Sequence, residues 1–257
     1  MELTWEIIAL IVIGGFLAAF IDSSVGGGGL VSVPVLLAAG LPPHLALGTN
    51  KLSASMSSVT STLAFLHSGN INLRSTGKLV PFTAIGAAGG ALLLQLIPSD
   101  WLRPAIVVML IGVTIYTLLK RNWGMEGSAR RKTTAAVKIG MVAAAFLLGG
   151  YDGFFGPGTG SFLIFIFLLL GFDFIQAAGN AKLLNFTSNV SSLIVFLALG
   201  WVDFRIGLLM GASMVLGSLA GSRLAIRQGA RYVKLLFVLV TVALIGRQLW
   251  TLISGEN

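Results

Sequence analysis

Asp22-Ser23-Ser24-Val25-Gly26-Gly27-Gly28-Gly29, followed further on by Gly48-Thr49-Asn50-Lys51-Leu52, makes one pattern: an acid, a glycine-rich break, a short apolar segment and a lysine in apolar surroundings. The pattern returns as Asp152-Gly153-Phe154-Phe155-Gly156-Pro157-Gly158-Thr159-Gly160, followed by Gly179-Asn180-Ala181-Lys182-Leu183. A shift of 131 positions lays Gly40 on Gly171, Gly48 on Gly179, Lys51 on Lys182, Ser57 on Ser188, Ser61 on Ser192, Gly69 on Gly200, Arg74 on Arg205, Gly86 on Gly217 and Gly90 on Gly221. The acids need a shift of 130, so the second copy gains one residue between acid and lysine. The chain is therefore read as an internal repeat.

Composition says what surrounds the repeat. Of 257 residues, 56% are hydrophobic and only 10% are charged, with a mean hydropathy of +0.93. A water-soluble domain needs a charged coat that this chain cannot supply. Each apolar run is a candidate membrane helix, for which about 20 residues are needed. The 33 glycines suit close helix packing and broken helices in lipid. The fold class expected is all-α: a polytopic integral membrane protein of two inverted repeats with broken or short helices.

Without cysteine, disulfides and thiolate metal sites are excluded. His44 and His67 stand far apart and read as loop or interfacial residues. No cofactor and no metal are expected. The formal charge of +8 comes from basic residues in short loops between apolar runs, a pattern that reports membrane orientation rather than a nucleic-acid partner. Glu2 and Glu6 give the N-terminus no positive start, so Met1 to Phe20 is expected to be a retained helix rather than a cleaved leader.

Ten apolar segments can be drawn, at 5–21, 30–40, 44–66, 77–97 and 101–119, then at 136–150, 161–171, 175–199, 204–226 and 232–253. They divide the chain into a first repeat over 1–119, a basic cytoplasmic linker over 120–135 and a second repeat over 136–257. The second and seventh segments are too short for a relaxed crossing, and the first and sixth are also short. If all ten cross with the linker inside, twelve basic residues fall inside and only Arg103, Arg205 and Arg247 outside. If the short segments do not cross, Arg223, Arg227, Arg231 and Lys234 land outside, against the positive-inside tendency. Five crossings per repeat are therefore favoured. An odd number inverts the second copy, and both termini then lie outside. Inverted repeats with breaks in corresponding places are a transporter signature, and the breaks point to the binding site.

Lys51 and Lys182 are the first candidates for chemistry. A charge deep in the bilayer costs roughly 2.5–3.5 kcal/mol on insertion scales and usually marks a pathway. Two lysines facing one cavity would bind a small, compact, multiply charged anion. Two bland alternatives compete: Lys51 pairs with Asp22 and Lys182 with Asp152 merely to hold the breaks, or the lysines snorkel from helix ends. Asp22 and Asp152 are candidates for gating or proton-linked acids; each could instead cap the helix after its break. Asn50, Ser53, Ser57, Ser58 and Ser61, and then Asn180, Asn185, Ser188, Asn189 and Ser192, form polar stripes after the breaks. Asn50, Ser53, Ser57, Asn180, Asn185, Ser188 and Asn189 are candidate substrate contacts, although small polar residues also serve helix packing. Gly26, Gly27, Gly28, Gly29, Gly156, Gly158 and Gly160 are the flexible breaks. No Gly-Lys-Ser/Thr follows the glycine run, which argues against a nucleotide loop. Tyr151 reads as an interfacial anchor.

The segments Ile21 to Leu30 and Gly48 to Lys51 resemble the first signature of the TauE/SafE family, and Tyr151 to Gly160 with Ala181 to Asn185 resemble the second. The similarity runs along almost the whole chain and is nearest to the YfcA-type branch. The resemblance implies an exporter of sulfite or of organosulfonates such as sulfoacetate in the bacterial inner membrane. Ala181 stands where the first copy has Asn50, a departure from strict symmetry. The expected function is secondary export of a small sulfur-containing anion, with proton linkage as a further hypothesis. An anion channel or a non-transporting scaffold subunit is the alternative, and an enzyme is not expected. The expected partners are the anion and the lipid bilayer, with a homodimer left open and nucleic acid excluded.

Overall fold

The computed structural model of the protein describes residues 4–119 and 134–228. Among them every regular element is a helix: α1 Trp5–Val25, α2 Gly29–Ala38, α3 Pro43–His67, α4 Leu73–Leu94 (with a 3-10 turn at Gly77–Leu79), α5 Ser99–Leu119, α6 Ala135–Phe154, α7 Thr159–Leu169, α8 Phe174–Ala198 and α9 Phe204–Gln228. Five of these, α1, α4, α6, α8 and α9, are long and apolar enough to cross a membrane. The chain is an all-α polytopic membrane protein. The linker as far as residue 133, with Lys120, Arg121, Arg130, Arg131 and Lys132, lies outside the described residues, as does the tenth segment at 232–253 with Arg231, Lys234 and Arg247 on or beside it.

Local sequence sets the ends. Thr4 accepts from the Ile7 N–H at the start of α1, Thr134 from Val137 at α6 and Asp173 from Gln176 at α8, which satisfies helix donors that lack an internal partner. Gly40 and Gly171, and likewise Gly69 and Gly200, carry positive φ just beyond helix ends. That left-handed turn is open to glycine without a Cβ penalty, which gives these repeat-matched glycines a physical reason.

Two expectations about length change. α1 runs to Val25 and α6 to Phe154, so neither is short, and Asp22 and Asp152 sit in final helical turns rather than in the breaks. Ser23 and Ser24 donate back to the Phe20 carbonyl at 3.2 and 3.0 Å, so these polar residues continue α1 instead of ending it. α2 and α7, with 10 and 11 residues, reach about 15 Å, half of a hydrocarbon layer about 30 Å thick.

Contacts fix the helix directions. α3 runs parallel to α9, with Thr49 meeting Asp203, Ser53 meeting Gly207 and Ser57 meeting Ser218. α1 is parallel to α9 through Gly15 and Met210, Phe16 and Gly217, and Phe20 and Gly221. α4 is parallel to α6 through Thr83 and Gly149, Ala87 and Gly153, and Gly90 and Phe154. The repeat-equivalent helices α3 and α8 run antiparallel: Lys51 meets Asn189, while Thr62, further along α3, meets Lys182, which comes earlier on α8. These directions bring the exposed Arg74, Lys78, Lys138, Arg223 and Arg227 to one end of the bundle and Arg205 to the other.

The halves exchange equivalent contacts. Gly48 abuts the Trp201 carbonyl and Gly179 the Asn70 carbonyl; Gly86 abuts Phe146 and Gly217 abuts Phe16. Each second pair is the first carried over by the repeat shift. A hydrogen bond does the same, with Asp203 N donating to Thr49 Oγ1 and Asn72 N to Asn180 Oδ1, both at 2.9 Å. Close helix approach through small residues, with dispersion and polar contacts as the attraction, is how helices associate where lipid is as apolar as the side chains. Gly90→Ala, whose Cβ would strike the Gly150 carbonyl, should cost about 1–3 kcal/mol, read as a lowered melting temperature in detergent. Gly89→Ala meets nothing within 4 Å and should melt as the parent does.

Candidate functional site

The two breaks lie against each other. Gly26 and Gly27 have φ of 77° and 90°, Gly156 and Gly158 of 98° and 90°, values that L side chains avoid. A Cβ on Gly26 would collide with the Gly160 backbone, and one on Gly29 would press on Pro157. Ser161 Oγ donates to the Val25 carbonyl at 3.1 Å, stitching α7 to the end of α1. The Tyr151 hydroxyl donates to the Pro157 carbonyl at 2.7 Å, and its ring meets Phe155 and Phe162 edge-on. Tyr151 thus braces the second break and is not the interfacial anchor expected, because its hydroxyl has an acceptor across the turn.

The charges pair across the halves. Lys51 Nζ donates to Asp152 Oδ2 at 2.9 Å and to Asn189 Oδ1 at 3.2 Å. Lys182 Nζ donates to Asp22 Oδ2 at 2.7 Å and also to the Asp22 main-chain carbonyl. The pairing within each repeat is therefore corrected: each lysine takes the acid of the other repeat, because the breaks interlock. Both lysines are buried, Lys51 at 2% and Lys182 at 0% exposure, and neither snorkels. Each ammonium also meets the C-terminal turn of α1 or α6, where the helix dipole favours a cation. Asp22 Oδ1 accepts the Gly28 N–H at 3.0 Å, so it caps the start of α2 while holding Lys182. No equivalent cap joins Asp152 to its break among the described bonds.

A cavity of about 30 Å³ opens between the breaks, room for roughly two waters. Asp22, Asn50, Lys51, Ser57, Asp152, Asn185 and Asn189 line it, with Gly27, Gly28, Gly29, Gly156, Gly158 and Gly160. Four of the residues expected to touch substrate lie outside the lining. Ser53 donates to the Gly207 carbonyl at 2.8 Å; Asn180 accepts from Asn72 N and Thr76 Oγ1; Ser188 donates to the Asn185 carbonyl; and Lys182 is behind Asp22. Gly26 is not in the lining either. Ser32, Ala54 and Met214 line the cavity without having been singled out. Ala54 was legible, being one turn from Asn50 on the face that also carries Ser57. Met214 comes from α9, and nothing in its own neighbourhood points to the cavity.

Asn50 differs from its neighbours. It is 4% exposed, and its Oδ1 has no hydrogen-bond partner among the described residues. A buried polar group without a partner costs about 1–3 kcal/mol. Among the described residues no group of three His, Cys, Asp or Glu could hold a metal ion.

The family described as Sulfite exporter TauE/SafE matches residues 11–247. A probable membrane transporter protein, ORF9, of Sinorhizobium sp. is 41% identical over 95% of this chain and 92% of its own length. One of Haemophilus influenzae is 34% identical over 97% of both. The probable membrane transporter protein YfcA of Escherichia coli K12 is 37% identical over 91% of this chain and 86% of its own. No solved structure matches. The chain belongs to the TauE/SafE family and is a multi-pass membrane transporter, not an enzyme.

The crossed pairing is directly testable. Lys51→Met strands the Asp152 carboxylate and should cost roughly 3–5 kcal/mol, seen as a lower melting temperature in detergent. Adding Asp152→Asn should recover most of that loss, whereas adding Asp22→Asn should not. Rescue by Asp22→Asn instead would place the pairs within the repeats.

Proposed function

We propose, from membership of the TauE/SafE family, that this transporter is a secondary carrier exporting a small sulfur-containing anion, sulfite or an organosulfonate such as sulfoacetate, across the bacterial inner membrane. The observation that carries the reading is the cavity at two helix breaks, bordered by Lys51 and by both acids. Broken helices are tolerated in a bilayer where they face protein or water, and such breaks are where carriers of this architecture hold their cargo.

The antiparallel run of α3 and α8 supports inverted repeats. A two-fold axis relating antiparallel helices is perpendicular to them, and so lies in the membrane plane. The end bearing Arg74, Lys78, Lys138, Arg223 and Arg227 is then the cytoplasmic one by the positive-inside tendency. A cavity of about 30 Å³ has to widen before a sulfonate enters, which suits rocking of one repeat against the other better than a standing pore.

Electrostatics supply the exchange. With both acids ionised, the two pairs sum to zero, so an arriving anion must compete with a carboxylate for its ammonium. A proton on Asp152 frees Lys51, and this is the proposed link between protons and anion. Outward movement of one negative charge gains about 2.3 kcal/mol per 100 mV of inside-negative potential, enough to drive export without ATP.

Inverted vesicles or proteoliposomes should take up sulfite or sulfoacetate saturably and exchange it for labelled anion. Large, non-saturating currents would replace the carrier with a channel. Asp152→Asn, which mimics the protonated acid, should flatten the pH dependence of transport. A variant with the parent's pH profile would remove the proton link and leave the carrier standing.

A further inference from the structure

The geometry points to an unequal division of labour between the two lysines: Lys51, together with Asn50, takes the anion, and Lys182 is a fixed clamp on the end of α1. The inference rests on the anion-carrier reading of the cavity and narrows it.

Two observations separate the lysines: access to the cavity and the kind of partner each holds. Lys51 lines the cavity. Its ammonium is held there by two side-chain acceptors, Asp152 and Asn189, both of which also line the cavity. Lys182 is fully buried and absent from the lining. It grips both the carboxylate and the main-chain carbonyl of Asp22, whose other carboxylate oxygen is held by Gly28 N. Freeing Lys182 would undo two contacts to Asp22, one of them to the main chain at the end of α1 and the other to the carboxylate that also holds the start of α2; freeing Lys51 loosens one carboxylate and one amide, both side chains.

The residue before each lysine carries the same asymmetry. Asn50 brings a buried amide without a partner for its oxygen to the cavity wall. An amide turned about its terminal torsion presents N–H instead of C=O, so Asn50 can donate to an oxyanion held by Lys51. The equivalent position holds Ala181, fully buried in an apolar cluster with Phe65, Ile164 and Leu184. The second half thus has a lysine without an amide beside it and without access to the cavity.

One available ammonium, with carboxylates still bordering the cavity, suits an oxyanion head of single charge. A dianion would leave one negative charge unmet, because the second ammonium stays with Asp22. The ligand class is therefore a monoanionic oxyanion head such as a sulfonate.

Calorimetric titration of the purified protein in detergent, with methanesulfonate and sulfate as probes, tests this. The parent should bind methanesulfonate more tightly than sulfate. Asn50→Ala, which leaves both ion pairs intact, should weaken binding about tenfold or more, as loss of a hydrogen bond to a charged group does. The doubly neutralised Lys51→Met/Asp152→Asn should not bind, whereas Lys182→Arg, which keeps the charge and leaves the cavity-lining Asp22 in place, should stay within about threefold of the parent, as expected of a group outside the contact. A loss by Lys182→Arg equal to that of Lys51→Met/Asp152→Asn, parental binding by Asn50→Ala, or preference for sulfate would overturn the unequal roles and leave an anion site in place. Parental protein that binds neither probe, nor sulfite, would take down the carrier reading along with this one. Melting curves identify a variant that has not folded, and Asn50→Ala then decides alone.

Discussion

Two ion pairs, each joining a buried lysine of one repeat to an acid of the other, are the constraint to which the rest of the molecule answers. Four charges inside an apolar bundle carry desolvation costs of several kcal/mol each unless they are met at close range. Lys51 with Asp152 and Lys182 with Asp22 meet at 2.9 and 2.7 Å. For those distances to exist, the two breaks must cross, because each acid ends the helix before its own break. Neither half can satisfy its charges alone, so the pairs act as a condition on assembly of the halves as much as a source of stability.

The backbone is shaped to allow that crossing. Gly26 sits against Gly160, and Gly29 against Pro157, with no room for side chains at the point of contact. Around this point, Gly86 and Gly90 admit α6, and Gly217 and Gly221 admit α1. Small hydroxyl residues complete the contacts: Ser24 to Gly221 O, Ser53 to Gly207 O and Ser218 to Ser57 O. Among the described residues, most other serine hydroxyls bond back to a carbonyl of their own helix, as Ser55, Ser61 and Ser192 do. The polar stripe after each lysine accordingly divides, with Ser57, Asn185 and Asn189 reaching the cavity and Ser53, Asn180 and Ser188 turned to backbone and neighbouring side chains.

The resulting site is nearly symmetric in backbone and unequal in chemistry. The shift that relates the halves carries Gly48 to Gly179 and Lys51 to Lys182 but Asn50 to Ala181. On the proposed carrier reading, a near-symmetric frame suits alternating outward-facing and inward-facing states, and a ligand with one head needs only one of the two sets of donors.

Membrane residence, the internal repeat, the breaks and the identity of the four charged residues follow from the sequence by itself, because they rest on hydropathy, glycine and spacing, which are local. The pairing of the charges, the length of α1 and α6 and the role of Tyr151 do not. Lys51 is nearer in sequence to Asp22 than to Asp152, and nothing in either repeat says that its partner lies in the other. Partner choice is a property of how two interlocked breaks bring distant segments within 3 Å, so it was decided only when the halves closed on each other.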